Sequence, residues 1–305
     1  GGGLHAIRNG ESLMFVMSDG MVRTWDLSGE NPTEHAVRLK LGNTIHHAWN
    51  SSVAADGKNL VVIAGAHLAQ LWSLAAPDKP LSQFDVYGAR PVITADGNTL
   101  FMSNGQTYSA EVVDLKSSPA KKRPIVPGVE RHLPLAVRPN GQLFGYWYRD
   151  AANVGNGFCD LGEKEFGALR PDARFTAHGS GEHVWFSPVA KSTAAYTVLN
   201  QVEFVQYDLS QPAGSPPVRR MRVPPQINCL HGSADSSTFA VDSGSGEDRY
   251  IAILQPNETG WKEVARLNKP PSIAYKIRLS ADGKSLYFRD NGANNVGTLW
   301  KWDIH

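Results

Sequence analysis

One ending recurs seven times along the chain, and that recurrence limits its fold more than any other feature. Short apolar runs close on Asp-Leu or a near variant. "TWDL" ends at Leu27, "LWSL" at Leu74, "VVDL" at Leu115, "FCDL" at Leu161, "QYDL" at Leu209, a degraded "AILQ" at Gln255 and "KWDI" at Ile304. The steps between these end points are 47, 41, 46, 48, 46 and 49 residues. A second marker, a tight polar turn between two apolar runs, keeps phase with the first. It reads "RNGES" from Arg8, "AADGK" from Ala54, "TADGN" from Thr94, "RPNGQ" from Arg138, "FSPVAK" from Phe186, "SADSS" from Ser233 and "SADGK" from Ser280. Asp-Gly and Asn-Gly favour the positive backbone dihedrals that a hairpin turn needs. A period in the forties with two phased markers describes a four-stranded unit repeated around an axis.

The segments between markers agree. Runs such as "NLVVIAG", "TLFMSNG" and "SLYFRDN" have the length and residue types of strands, and no segment sustains a 3.6-residue period. The expected fold is all-β: a single seven-bladed β-propeller over residues 1–305, built of four-stranded antiparallel blades. Each repeat reads as strand a, a turn, strand b, a loop, strand c ending at the Asp, then strand d. Residues 1–7 align with strand a and residues 300–304 with strand c. The last blade is therefore expected to be one strand short, and open to strand addition by another segment.

Bulk properties exclude several classes. Of 305 residues, 41% are hydrophobic and 19% charged, which suits a folded domain. The net charge of +1 supplies no field that would favour nucleic acid. No apolar run approaches a membrane span, and a cytoplasmic location is the expectation. The chain opens on Gly1-Gly2-Gly3 without Met, which leaves room for a segment upstream. Two cysteines, Cys159 and Cys229, fall in strands of non-neighbouring repeats and are expected as free thiols.

The spacing and the stretch "SDGMVRTWDLSG" (Ser18 to Gly29) closely resemble WD40 repeats, and "ADGK" turns are common in bacterial propellers of that kind. The resemblance covers the whole chain. It implies a rigid platform for protein partners. No cofactor is expected, and no metal either, because His46, His47, His132 and His231 share no phase and no spacing matches a calcium loop. It also implies that Asp19, six residues before Trp25, joins a hydrogen-bond network with that Trp. Most other repeats lack the Asp, so packing is expected to hold them. Trp25, Trp72, Tyr207 and Trp302 share one strand-c position and are expected to fill the gaps between blades.

Two groups of residues are candidates for partner binding. Alignment on the turn places Asn50, Arg90, His183 and Lys276 at one position, six residues before the turn, where they would line the mouth of a central channel. The strand b-to-c connections are lengthened in three repeats: around Arg149, Asp150 and Asn153; around Asp242, Glu247 and Asp248; and around Arg289, Asp290 and Asn294. Loops on a rigid scaffold are where recognition residues sit. Two basic clusters, Lys121-Lys122-Arg123 and Arg219-Arg220-Arg222, fall on outermost strands, where charge guards an edge against aggregation. The runner-up function is a propeller enzyme of lactonase or hydrolase type at the channel mouth. Glycosidase chemistry would need paired carboxylates facing the axis, and the aligned inner positions do not supply such a pair.

Overall fold

Each of the two sequence markers is a hydrogen-bonded device, and the two are bonded to each other. In the turn, the Asp carboxylate accepts the N–H two residues on: Asp56 from Lys58 at 2.9 Å, and Asp96 from Asn98, Asp235 from Ser237 and Asp282 from Lys284 at 3.0 Å. The strand-ending Asp does the same, Asp26 with Ser28, Asp114 with Lys116 and Asp208 with Ser210, each at 2.9 Å. Such side-chain-to-backbone bonds end a strand and start a reversal. The Leu that follows then donates its N–H to the carbonyl at the end of its own repeat's turn. These bonds are Leu27 to Glu11, Leu74 to Lys58, Leu115 to Asn98 and Leu209 to Thr193 at 2.9 Å, and Ile304 to Lys284 at 2.8 Å. The two markers keep phase because they touch.

The computed structural model describes residues 3–8, 11–28, 32–42, 45, 51–65, 67–86, 91–103, 110–117, 120–124, 131–137, 143–149, 154–160, 170–175, 184–187, 192–199, 202–211, 215–223, 225–270, 277–289 and 298–305, with the backbone alone at 110, from 123 to 175, and at 184, 186, 199 and 289. The chain divides into two compact units, 1–170 and 171–305.

Among the described residues the strands form seven antiparallel sheets, six of four strands and one of three, each in simple sequence order. The first sheet is β1 (Gly3–Ile7), β2 (Ser12–Val16), β3 (Met21–Asp26) and β4 (Thr33–Arg38). The second is β5 (Ser52–Val53), β6 (Asn59–Ala64), β7 (Leu68–Ser73) and β8 (Ser82–Asp85), and the third is β9 (Val92–Ile93), β10 (Thr99–Ser103), β11 (Ala110–Asp114) and β12 (Lys121–Pro124). The fourth is β13 (Arg131–Val137), β14 (Leu143–Arg149), β15 (Val154–Asp160) and β16 (Arg170–Phe175). The fifth is β17 (Val184–Phe186), β18 (Ala194–Leu199), β19 (Glu203–Asp208) and β20 (Arg219–Arg222). The sixth is β21 (Ile227–Gly232), β22 (Phe239–Ser243), β23 (Tyr250–Asn257) and β24 (Gly260–Asn268). The seventh holds β25 (Ile277–Leu279), β26 (Ser285–Arg289) and β27 (Leu299–Asp303). No α-helix occurs among the described residues.

Core lies between consecutive sheets, which explains why second strands read as unbroken apolar runs. Along β6, Leu60 and Val62 face a cluster with Ile7, Met14 and Val16 of the first sheet, while Val61 and Ile63 face one with Leu100, Met102 and Val113 of the third. In the other unit Tyr196, Phe204, Phe239 and Trp261 join the fifth sheet to the sixth, and Ile251, Ile253, Leu279 and Phe288 join the sixth to the seventh. Of the four rings that share the strand-c position, Trp72 and Tyr207 are fully buried, each contributing about 2–3 kcal/mol of burial, whereas Trp25 and Trp302 are only half-buried. Main-chain bonds tie successive turns as well: Arg8 N–H to the Ala55 carbonyl at 2.7 Å, Ala55 to Ala95 at 2.9 Å, and Ala234 to Ala281 at 3.0 Å.

Three features depart from the regular pattern. The sixth ending has Gln255 in place of Asp-Leu, so nothing stops the strand, and β23 runs on to Asn257 in a long hairpin with β24. Asp19 does not reach Trp25. It pairs with Arg38 at 3.2 Å and accepts the Met21 N–H, whereas Trp25 Nε1 donates to Glu34 at 3.2 Å. The fourth strand thus supplies the partner that the resemblance had assigned to the turn. Finally, β27 is far less covered than its counterparts, with Trp300 40% exposed and Trp302 half-buried. Among the described residues no fourth strand lies against it.

Candidate interaction surface

The connection from β22 to β23 is the lengthened loop whose side chains are described. Two backbone turns shape it: Gly244, at φ +83°, and a 3-10 turn over Gly246–Asp248. Any Cβ at Gly244 would lie 2.5 Å from the Asp248 carbonyl oxygen, so the tight turn demands glycine there. Three bonds tie the loop to its surroundings. Gly244 N–H donates to the Gln226 carbonyl at 2.6 Å, the Asn228 amide donates to the Gly244 carbonyl at 2.7 Å, and Lys269 N–H donates to the Arg249 carbonyl at 2.9 Å.

Below the tip, Asp242 and Arg249 form a two-point ion pair, with Arg249 Nε donating to Asp242 Oδ1 at 2.9 Å and Nη2 to Oδ2. Both side chains are buried, Asp242 completely. Excluded water and the planar guanidinium fork make this a rigid clamp. Asp242, one of the loop residues expected at a partner surface, is completely buried in this pair. Glu247 and Asp248 stand exposed above the clamp, and Glu247 holds Lys269 at 2.5 Å. The loop presents two carboxylates on a fixed base. Arg249 was not singled out from the sequence. No spacing rule pointed to it, because the register sets Asp242 opposite Ile251 and Arg249 reaches the carboxylate from the loop, one residue before β23.

The other predicted residues divide simply. Asn50, Arg90, His183, Lys276, Asp150, Asn153, Asp290 and Asn294 lie outside the described residues. Arg149 and Arg289 end β14 and β26, and their backbone alone is described. Of the basic clusters, Lys121 and Lys122 are exposed on β12, and Arg220 and Arg222 are exposed on β20 while Arg219 donates to Gln206 at 2.8 Å. Both β12 and β20 are outermost strands, as expected. Cys229 is a buried thiol outside any disulfide, its Sγ 3.9 Å from Asp242 Oδ2, and the Cys159 side chain lies outside the described residues. No helix among the described residues is long and apolar enough to cross a membrane.

No known family's sequence profile matches the chain, and no curated protein matches it in sequence. Solved structures do match. The β-propeller domain of Cps50 (Swd1) from Myceliophteria thermophila superposes with a TM-score of 0.72 at 12% identity, covering 100% of this chain and 96% of that one. A chain of the mitotic checkpoint complex gives 0.70 at 14% identity, covering 99% and 89%. The C-terminal WD40 domain of Sif2 gives 0.64 at 12% identity, covering 99% and 80%. At such identities the likeness is one of architecture: the chain has the fold of WD40 β-propeller domains.

Proposed function

We propose that the chain is a non-catalytic platform for protein partners, acting as one domain over residues 1–305. The observation that carries the reading is the clamped β22–β23 loop, a pair of exposed carboxylates on a rigid base in a fold of the WD40 kind. Loops of this sort present recognition groups at little ordering cost, because the scaffold has already fixed them. Glu247 and Asp248 are the partner-binding residues on this loop, and the lengthened connections at Arg149, Asp150 and Asn153 and at Arg289, Asp290 and Asn294 are further candidates for partner contact. So are Asn50, Arg90, His183 and Lys276, the residues expected at a channel mouth. Its occupant at Glu247 and Asp248 is a basic segment of a protein. The edge of β27 is a second point of attachment, where an extended segment pairs as a fourth strand.

The test is capture of partners from the source lysate by the wild-type chain and by a Glu247→Lys, Asp248→Lys variant. The reading expects the variant to lose the captured protein by tenfold or more, on the order of 1.4 kcal/mol, while its melting temperature stays within a degree or so of wild type. Capture that survives the reversal and fails on Arg219→Ala with Arg220→Ala moves the site to the outer rim. Turnover of lactones or esters by the purified chain would replace the platform reading with the hydrolase one.

A further inference from the structure

His231 lies on β21 with only 9% of its surface exposed. Its Nδ1 accepts the Leu279 N–H of β25 at 3.2 Å, so that nitrogen carries no proton and the ring is neutral, with its hydrogen on Nε2. The ring centroid is 4.6 Å from that of Trp185 on β17. One side chain therefore touches the first strands of three consecutive sheets. These strands lie side by side, yet β21 pairs with β22 and β25 with β26, so no ladder joins β21 to β25. The join is made by single bonds, among them His231 to Leu279 and, one turn away, Ala234 N–H to the Ala281 carbonyl.

We propose that His231 is an acid-released latch between β21 and β25. The neutral ring closes it by accepting the Leu279 amide. A proton on Nδ1 turns that acceptor into a donor facing a donor, and places a charge in a site that little water reaches. The charged group acting on the ring is Arg278 of β25, whose guanidinium donates to the Ile277 carbonyl and opposes an imidazolium beside it. From β22 the residue opposite is Ala240, and the acid of that strand, Asp242, is held by Arg249. From β17 the neighbour is Trp185, and from β26 Tyr287 lies opposite Arg278, its hydroxyl kept protonated by burial. His183 and Lys276, next in sequence to β17 and β25, lie outside the described residues. Burial first, and Arg278 second, hold the closed imidazole well below its ordinary value of 6.5.

The direction in pH follows. A released ring takes up a proton near its ordinary value while the closed ring does not, so closure is complete above that value and weakens as pH falls below it. One proton of linkage favours opening by about tenfold per pH unit in that range. Amide hydrogen exchange at Leu279 in the full chain, corrected for the intrinsic rate, reads the latch directly. Between pH 7.5 and 5.0 the wild type is expected to gain about tenfold or more in opening. His231→Asn, whose carboxamide oxygen can accept the same N–H without titrating, is expected to stay flat. An equal acid response in both proteins overturns the latch. Imidazole nitrogen spectra of the wild type need no variant. A ring that titrates near its ordinary value while Leu279 stays protected also overturns it.

Discussion

At the scale of single residues, the clamp under the β22–β23 loop carries the sharpest consequence. Asp242 has no exposed surface, and its carboxylate neutralises a guanidinium that is itself buried. Replacing Asp242 with Asn keeps the shape and removes the charge that balances Arg249 in this buried pair. Such broken pairs cost about 3–5 kcal/mol, so the denaturation midpoint of Asp242→Asn is expected to fall steeply. Equilibrium unfolding in urea measures it, and a loss within a few tenths of wild type would show that water reaches the pair. Replacing Asp242 and Arg249 together by apolar residues of similar volume is expected to recover part of the loss, because the penalty belongs to the orphaned charge. This residue is also where the sequence was least informative. An Asp in a Gly-rich loop looks like a surface group, and only the register of β22 with β23, which sets Asp242 opposite Ile251, turns it inward.

At the scale of elements, the turns between first and second strands join one sheet to the next. Gly57 has φ +72°, and a Cβ there would lie 2.5 Å from Ile7 Cδ1 of the preceding sheet. Gly65 has a similar φ of +65° and nothing within 4 Å of its virtual Cβ. Gly65→Ala should therefore lose only the conformational term of about 1–2 kcal/mol, and Gly57→Ala should lose that plus the displacement of Ile7, about 1–3 kcal/mol more. Thermal melts of the two variants measure the difference, and equal losses would mean that Ile7 gives way freely. The strand pattern was legible because it rests on local chemistry: Asp and Gly at turns, unbroken apolar runs where both faces are covered, an Asp-Leu stop. The partner of Trp25 was not, because the turn and the fourth strand each offer an acid, Asp19 and Glu34, and the choice is made by the register of β3 with β4, which sets Trp25 opposite Glu34. Nor was the extension of β23 stated in advance, although Gln255 without Asp-Leu is the letter-level reason for it.

At the scale of the whole molecule, residues 1–305 as one domain remain a proposal, and calorimetry decides it. A single domain unfolds in one transition whose calorimetric and van't Hoff enthalpies agree. Two resolved transitions would instead assign 1–170 and 171–305 separate stabilities. The repeat unit was legible at this scale since its period exceeds any single element. The candidate surface was legible only as a set of loops, because loop residues take their positions from contacts that no period encodes. The turn-to-turn bonds of Arg8, Ala55 and Ala95, and of Ala234 and Ala281, join nitrogen to oxygen along the main chain. Side-chain substitution does not erase a peptide group. A lineage built on such joints can rewrite nearly every letter between them and keep its shape, provided that no proline enters at a donor. Likeness of fold to solved structures at 12–14% identity is what such joints permit.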